Sequence, residues 1–238
     1  AVAQSNLPII LSTGMSTLGE IEEALGVLAF GYSRSGHKPS KKGFFEAWQD
    51  PSARSALENR VTLLHCTSQY PAPIADVNLR VMESLRNAFG LEIGYSDHTA
   101  GISISIAAAA LGASVIEKHI TLDRSLPGPD HAASLEPTEF KNMVEGIRET
   151  CVALGSSNKM ITASEINTRE VARKSLVAAT EIAKGAVISS DKIGVKRPAK
   201  GRDPIDYWEV LGTTARINSP KMSYCNRCFL STIDWSKL

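Results

Sequence analysis

The runs Gly94-Tyr-Ser-Asp-His-Thr99 and Val115-Ile-Glu-Lys-His-Ile-Thr121 constrain this chain more than any other feature. Each opens as a short apolar strand, over 91–95 and 114–116, and ends in side chains able to bind metal, phosphate or protons. Between them, residues 101–112 are small and apolar enough to form a helix lying flat on a sheet. The three pieces predict a parallel strand-helix-strand unit with its chemistry at the carboxyl ends of both strands, where α/β folds hold their sites. His98 and His119 then project from neighbouring strand ends.

The rest of the chain repeats the pattern. Residues 8–12 predict a strand running into Thr13-Gly14-Met15, and Thr17-Leu-Gly-Glu20 has capping-box spacing. The helix that follows places Ile21, Ala24, Leu25 and Leu28 on one face. A polar stretch leaves His37 in solvent, and 44–48 and 53–58 predict short helical pieces inserted before a second strand at 61–65. A helix over 77–89 turns Val81, Leu85, Ala88 and Phe89 inward and stops at Gly90. After the opening pair and a loop at 123–134, a helix over 137–154 turns Phe140, Met143, Val144, Ile147, Cys151 and Leu154 inward.

Each of the four strands ends in polar residues: Ser12-Thr-Gly, His65-Cys-Thr-Ser, Ser96-Asp-His-Thr and Glu117-Lys-His. That is the layout of a (β/α)8 barrel, which needs eight strands and ~250 residues. The expected fold class is therefore α/β, with residues 1–155 forming the C-terminal half of a TIM barrel (strands 5 to 8). Residues 156–170 read as a linker and 171–238 as a small second domain, with short elements near 174–179, 182–193 and 206–211 and an atypical end from 213 on.

Composition excludes several classes. A net charge of +1, with Lys38, Lys41 and Lys42 too few and set among Gly, Pro and Ser, argues against nucleic-acid or anionic-membrane partners. No window approaches a membrane span and no signal peptide precedes the first strand, so a cytoplasmic location is expected. The four cysteines make no disulfide framework in a chain this long; Cys66 and Cys151 are expected reduced in or near the core. Cys225-Asn-Arg-Cys228 is a lone CxxC without a second pair or a nearby His.

Two histidines on adjacent strand ends suit a divalent transition metal in an open site, whose other positions water or substrate would fill. The alternative is two unrelated histidines, one of them hydrogen-bonded in the core. Ser12, Ser96 and Thr67 or Ser68 could offer donors to a phosphate, although such residues are common in any strand-helix turn. Glu117 shares its strand face with His119, so it is expected as a buried carboxylate beside the site while Lys118 faces the helix layer.

With these runs stand Pro8-Ile-Ile-Leu-Ser-Thr-Gly-Met15, Leu63-Leu-His-Cys-Thr-Ser-Gln-Tyr-Pro71, Asp76-Val-Asn-Leu-Arg80, Gly128-Pro-Asp-His131, Ala133-Ser-Leu-Glu-Pro137 and Val195-Lys-Arg-Pro198. Together they resemble the sialic acid synthase family, the N-acetylneuraminate synthases and bacterial relatives that make legionaminic or pseudaminic acid. The resemblance implies a transferase that condenses phosphoenolpyruvate with N-acetylmannosamine or a related N-acetylated hexose. C3 of the enol attacks the sugar aldehyde, water adds at C2, and phosphate leaves with C–O cleavage. It also implies His98 and His119 as ligands of a divalent metal (Mn2+ first, Mg2+ or Co2+ otherwise), and Glu117 as a carboxylate of the same site. Ser12 and Ser96 match contacts to phosphoenolpyruvate, and Ser68 falls where some relatives carry Asn. Tyr70 and Asp130 match residues near the sugar. Arg197 matches an arginine of the antifreeze-like (SAF) domain that reaches the N-acyl group in a partner subunit, which implies a homodimer with swapped SAF domains.

The family's first four strands, with lysines for phosphoenolpyruvate and a glutamate for proton handling, have no match in the chain. It is expected to be a synthase fragment of little activity alone, with a small domain that leaves the family pattern from Thr213. Two other readings stay open: a non-catalytic half-barrel that binds metal or sugar, and a metal-dependent aldolase or hydrolase that gives Val195-Lys-Arg-Pro198 no role.

Overall fold

Strand-helix alternation is realised as one parallel sheet whose strand order follows the chain. The computed structural model describes residues 1–34 and 36–225. The first of two compact units, Ala1–Ser156, runs β1 (Ile9–Ser12), α1 (Leu18–Ser33), α2 (Lys41–Gln49), α3 (Pro51–Glu58), β2 (Val61–Cys66), α4 (Val81–Phe89), β3 (Glu92–Asp97), α5 (Ser103–Ala110), β4 (Ile116–Lys118) and α6 (Pro137–Leu154). The second, from Ser157, holds α7 (Ile166–Ala172), β5 (Ser175–Ala178), β6 (Ile193–Lys196) and α8 (Tyr207–Val210).

The sheet order is β1-β2-β3-β4, every neighbouring pair parallel. Alternation along each strand sends Val61, Leu63, Ile93 and Tyr95 into the core formed with Ile21, Leu25, Leu57, Met82 and Leu85 of the helices. The other face holds Ile10, 57% exposed, with Ser12, Glu92 and Glu117. A doubly wound sheet reverses its strand order and carries helices on both faces. This one does neither, so it is half of a (β/α)8 barrel, with helices outside and an interior face exposed at Ile10, Ser12, Glu92 and Glu117 but buried at Leu64 and Ser96.

Local chemistry sets the element ends. Thr17 and Glu20 form the expected capping box, the Glu20 amide donating to Thr17 Oγ1 at 3.3 Å and the Thr17 amide to Glu20 Oε2 at 2.7 Å. Helix α4 starts at Val81, later than its apolar pattern predicts, because Asn78 takes a left-handed φ of +47°. Its buried side chains are Met82, Leu85 and Phe89, and Ala88 is exposed. β4 lies two residues nearer His119 than the apolar run suggests, since backbone pairing with β3 continues past the last apolar residue. Helix α6 buries only Met143 fully; Cys151 and Leu154 are exposed, contrary to expectation. The 18-residue α6 is about 27 Å long and packs on the 8-residue α5, about 12 Å long, so its last turns overhang.

In the second unit, β5 and β6 pair antiparallel around Leu176, Ala178, Ile182, Ile188, Ile193, Val210, Ala215 and Cys225. The stretch read as a linker carries a capped 3-10 turn (Ala163–Glu165) and α7. Cys225 is a buried free thiol whose pKa burial pushes up to about 11, and Cys228 lies outside the described residues. Among the described residues no helix is long and apolar enough to cross a membrane.

Candidate functional site

His98 follows β3 by one residue and His119 follows β4 by one. The ladder pairs Ser96 with Glu117 and Asp97 with Lys118, and that register brings the two imidazoles together. Their ring centroids are 5.3 Å apart. Tyr70, in the loop after β2, packs its ring 4.2 Å from His98 and 5.5 Å from His119. Three strand ends thus contribute one ring each.

His98 is 8% exposed, and its Nδ1 lies 2.9 Å from the Thr67 carbonyl and 3.7 Å from Cys66 Sγ. A carbonyl only accepts, so Nδ1 carries the proton and Nε2 keeps its lone pair. Backbone carbonyls orient metal-binding histidines in this way. The two rings therefore fit as imidazole ligands of an open divalent site. Among the described residues no group of three or more His, Cys, Asp or Glu is arranged to hold an ion, so substrate or water would fill the remaining positions.

Ser96, buried in β3, donates its hydroxyl to Glu117 Oε1 at 2.6 Å. Glu117 is exposed, which corrects the expectation of a buried carboxylate: β4 is the sheet's edge and the interior face beside it is uncovered. The Tyr70 hydroxyl is pushed above its ordinary pKa by desolvation first, then by negative charge on Cys66, Asp130 and Glu117. Asp130 stands in an exposed loop, held there by bonds from Ala133 N and Ser134 Oγ to its carbonyl.

Ser12 ends β1 and is exposed. Ser68 sits over the β1 end, where a Cβ on Gly14 would fall 2.2 Å from Ser68 Oγ and 3.2 Å from Cys66 Sγ. A larger residue at 14 would require the Ser68 hydroxyl to turn away. Arg197 follows β6 in the second unit, exposed. His65, in an equally polar strand-end motif, points the other way; its Nε2–H donates to the Val77 carbonyl at 2.6 Å, and burial lowers its pKa. It belongs to the fold.

Sequence reasoning missed three parts of this arrangement. Thr67 acts through its carbonyl, which no residue type announces, and Cys66 lies beside His98 on the interior face. The third is a buried ion pair, Asp97 with Lys118, directly behind the histidines. Period-two alternation signals that pair, since both residues precede a histidine by one.

Comparison with known proteins places residues 1–159 in the NeuB family and residues 173–220 in the SAF domain family. The chain is 48% identical over 217 residues to the N,N'-diacetyllegionaminic acid synthase of Campylobacter jejuni, covering 91% of this chain and 58% of that protein. It is 35% identical over 222 residues to the pseudaminic acid synthase of Helicobacter pylori, covering 92% and 58%. The crystal structure of N-acetylneuraminic acid (sialic acid) synthetase from Leptospira borgpetersenii matches 70% of this chain and 50% of its own, at 34% identity and a TM-score of 0.52. The chain thus spans about half the length of the relatives it matches.

Proposed function

This chain belongs to the NeuB family, and on that premise we propose that it carries the sugar-activating half of a nonulosonic acid synthase site. The reaction joins phosphoenolpyruvate, an N-acylated hexose and water to give a nonulosonate and phosphate. The observation that supports it most is the packing of His98, His119 and Tyr70 beside the Ser96–Glu117 hydrogen bond, at the carboxyl ends of adjacent parallel strands.

In this reading Nε2 of His98 and an imidazole nitrogen of His119 hold a divalent ion, Mn2+ ahead of Mg2+ or Co2+. When bound, the ion supplies Lewis acidity toward the sugar's aldehyde oxygen. Tyr70 walls the site and orients the sugar, with Asp130 hydrogen-bonding its hydroxyls. Ser96 and Ser12, with Ser68, hold the phosphate and carboxylate of phosphoenolpyruvate, and Glu117 takes or returns a proton as water adds at C2. Arg197 reaches the N-acyl group in a homodimer with exchanged SAF domains, in the cytoplasm.

Identity to the Campylobacter enzyme supports a 2,4-diacetamido hexose as the sugar, ahead of N-acetylmannosamine. Phosphate release from phosphoenolpyruvate with Mn2+ tests this. Release that requires the diacetamido hexose and is lost in His98→Ala bears the proposal out, and release indifferent to His98 sinks it. Equal release with N-acetylmannosamine reassigns the sugar. A second reading, a non-catalytic half-barrel binding metal or sugar, draws support from the exposed interior-face residues Ile10, Ser12 and Glu117. It predicts ligand binding with no phosphate release for any sugar.

A further inference from the structure

Behind the candidate site, on the helix side of the sheet, Asp97 and Lys118 form an ion pair at 3.1 Å with side chains 0% and 1% exposed. Each is the residue before a histidine, and the two are ladder partners on β3 and β4. Asp97 Oδ1 accepts from the Thr99 amide at 2.8 Å, the Thr99 hydroxyl at 2.8 Å and the Tyr95 hydroxyl at 3.4 Å. Its Oδ2 also accepts from Ser105 Oγ, on α5, at 2.5 Å. Lys118 Nζ donates to the Thr99 carbonyl at 2.5 Å. His98 therefore lies between two residues that the pair grips: Asp97 itself, and Thr99 by its amide, hydroxyl and carbonyl.

We propose that Asp97 and Lys118 are positioning residues that fix the orientation of His98 and its spacing from His119. A buried ion pair is a poor source of net stability, because desolvating two charges offsets their attraction. What this one supplies is direction. Three bonds converge on Thr99 and the His98 carbonyl accepts the Ala72 amide at 2.8 Å, so the backbone is held on both sides of the ring while Nδ1–H meets the Thr67 carbonyl at 2.9 Å. Lys118 ties the same point to the strand that ends in His119, so the two rings are held by one network from behind while Tyr70 packs against both. The inference rests on the reading of the two histidines as a working pair.

The test uses the 238-residue chain with Asp97→Leu/Lys118→Met, which fills the same buried space without charge. Long-range proton–nitrogen spectra of the histidine rings read the clamp with no metal present. The unaltered chain is expected to show His98 as a single Nδ1–H tautomer, and the folded double variant a mixture of tautomers. Co2+ affinity, by calorimetry, is expected to fall at least about tenfold in that variant, the range seen when groups orienting a ligand are removed. A folded double variant with an unchanged His98 spectrum overturns the proposal. If the double variant does not fold, Ser105→Ala decides: it keeps the ion pair but strips one donor from Asp97, so a second His98 tautomer should appear, and an unchanged spectrum again overturns the clamp. Co2+ binding indifferent to His98→Ala would fell the metal reading alone, since the tautomer comparison stands without it.

Discussion

Gly94→Ala is the most informative single change in the first unit. A Cβ at Gly94 would lie 2.5 Å from the Val115 carbonyl oxygen, 2.5 Å from Leu64 Cδ2 and 3.0 Å from Val115 Cβ. Leu64 could turn aside, but the carbonyl cannot, because it accepts the Tyr95 amide at 2.8 Å as part of the β3–β4 pairing. Relief requires β4 to move by about 1 Å. Overpacking of this kind costs about 1–3 kcal/mol, and weakening one sheet hydrogen bond adds about 1 kcal/mol. The expected loss is therefore about 2–4 kcal/mol, or a fall in melting temperature of roughly 5–15 °C for a unit of this size. Gly19→Ala is the control: it lies within α1, nothing stands within 4 Å of its Cβ, and removing glycine's backbone freedom should stabilise by about 0.5–1 kcal/mol. Urea unfolding followed by circular dichroism measures both. A Gly94→Ala protein within about 0.5 kcal/mol of the unaltered chain would refute the close packing of β3 on β4, and with it the spacing of the histidines.

Burial holds the pKa of His65 below its ordinary value, so the unfolded chain gains a proton first as pH falls. Stability from this residue is present above about pH 6.5 and drains below it at up to about 1.4 kcal/mol per pH unit, so His65→Gln should flatten that slope between pH 7 and 5 in midpoint measurements. Thr17→Ala removes the hydroxyl half of the α1 capping box, leaving the bond from the residue 17 amide to Glu20, and should lower stability by about 1 kcal/mol in the same unfolding assay. Ser96→Ala should leave stability within about 1 kcal/mol, because exposed Glu117 regains water, while calorimetric affinity for phosphoenolpyruvate drops at least about tenfold. Unchanged affinity would remove Ser96 from the substrate contacts.

Periodicity carried the fold well where one signal dominated. The helix over 137–154 rested on its apolar spacing and on Pro137 near the first turn, and α6 spans those residues. Where two signals competed, the apolar pattern misled. At residues 77–80 it called for a helix, but the left-handed Asn78 governs the backbone. For Cys151 and Leu154 it called for burial, although burial depends on a neighbour that α5 is too short to provide. At the site, alternation put His119 and Glu117 on one side and Lys118 on the other. The polar strand-end motif made His65 look like its counterparts, although alternation from Val61 and Leu63 puts it on the helix side, where it meets the Val77 carbonyl. Backbone acceptors such as Thr67 and Val77 carry no side-chain signature, so contacts made through them are visible only in the folded chain.

The helix α5 that joins the histidine strands has a consequence for the order in which the chain assembles. Residues 98 and 119 are separated by 21 positions, whereas Ser12 and its partner Leu64 on β2 are separated by 52. Closing the longer loop costs about 0.8 kcal/mol more in chain entropy, so the encounter of β3 with β4 comes early and β1 joins late. Pulse-labelled exchange would see the Ser114 amide, bonded to Ile93, protected before the Thr13 amide, bonded to Leu64. The histidine pair is then a local event of folding, formed by a short segment around which the remaining strand ends are gathered.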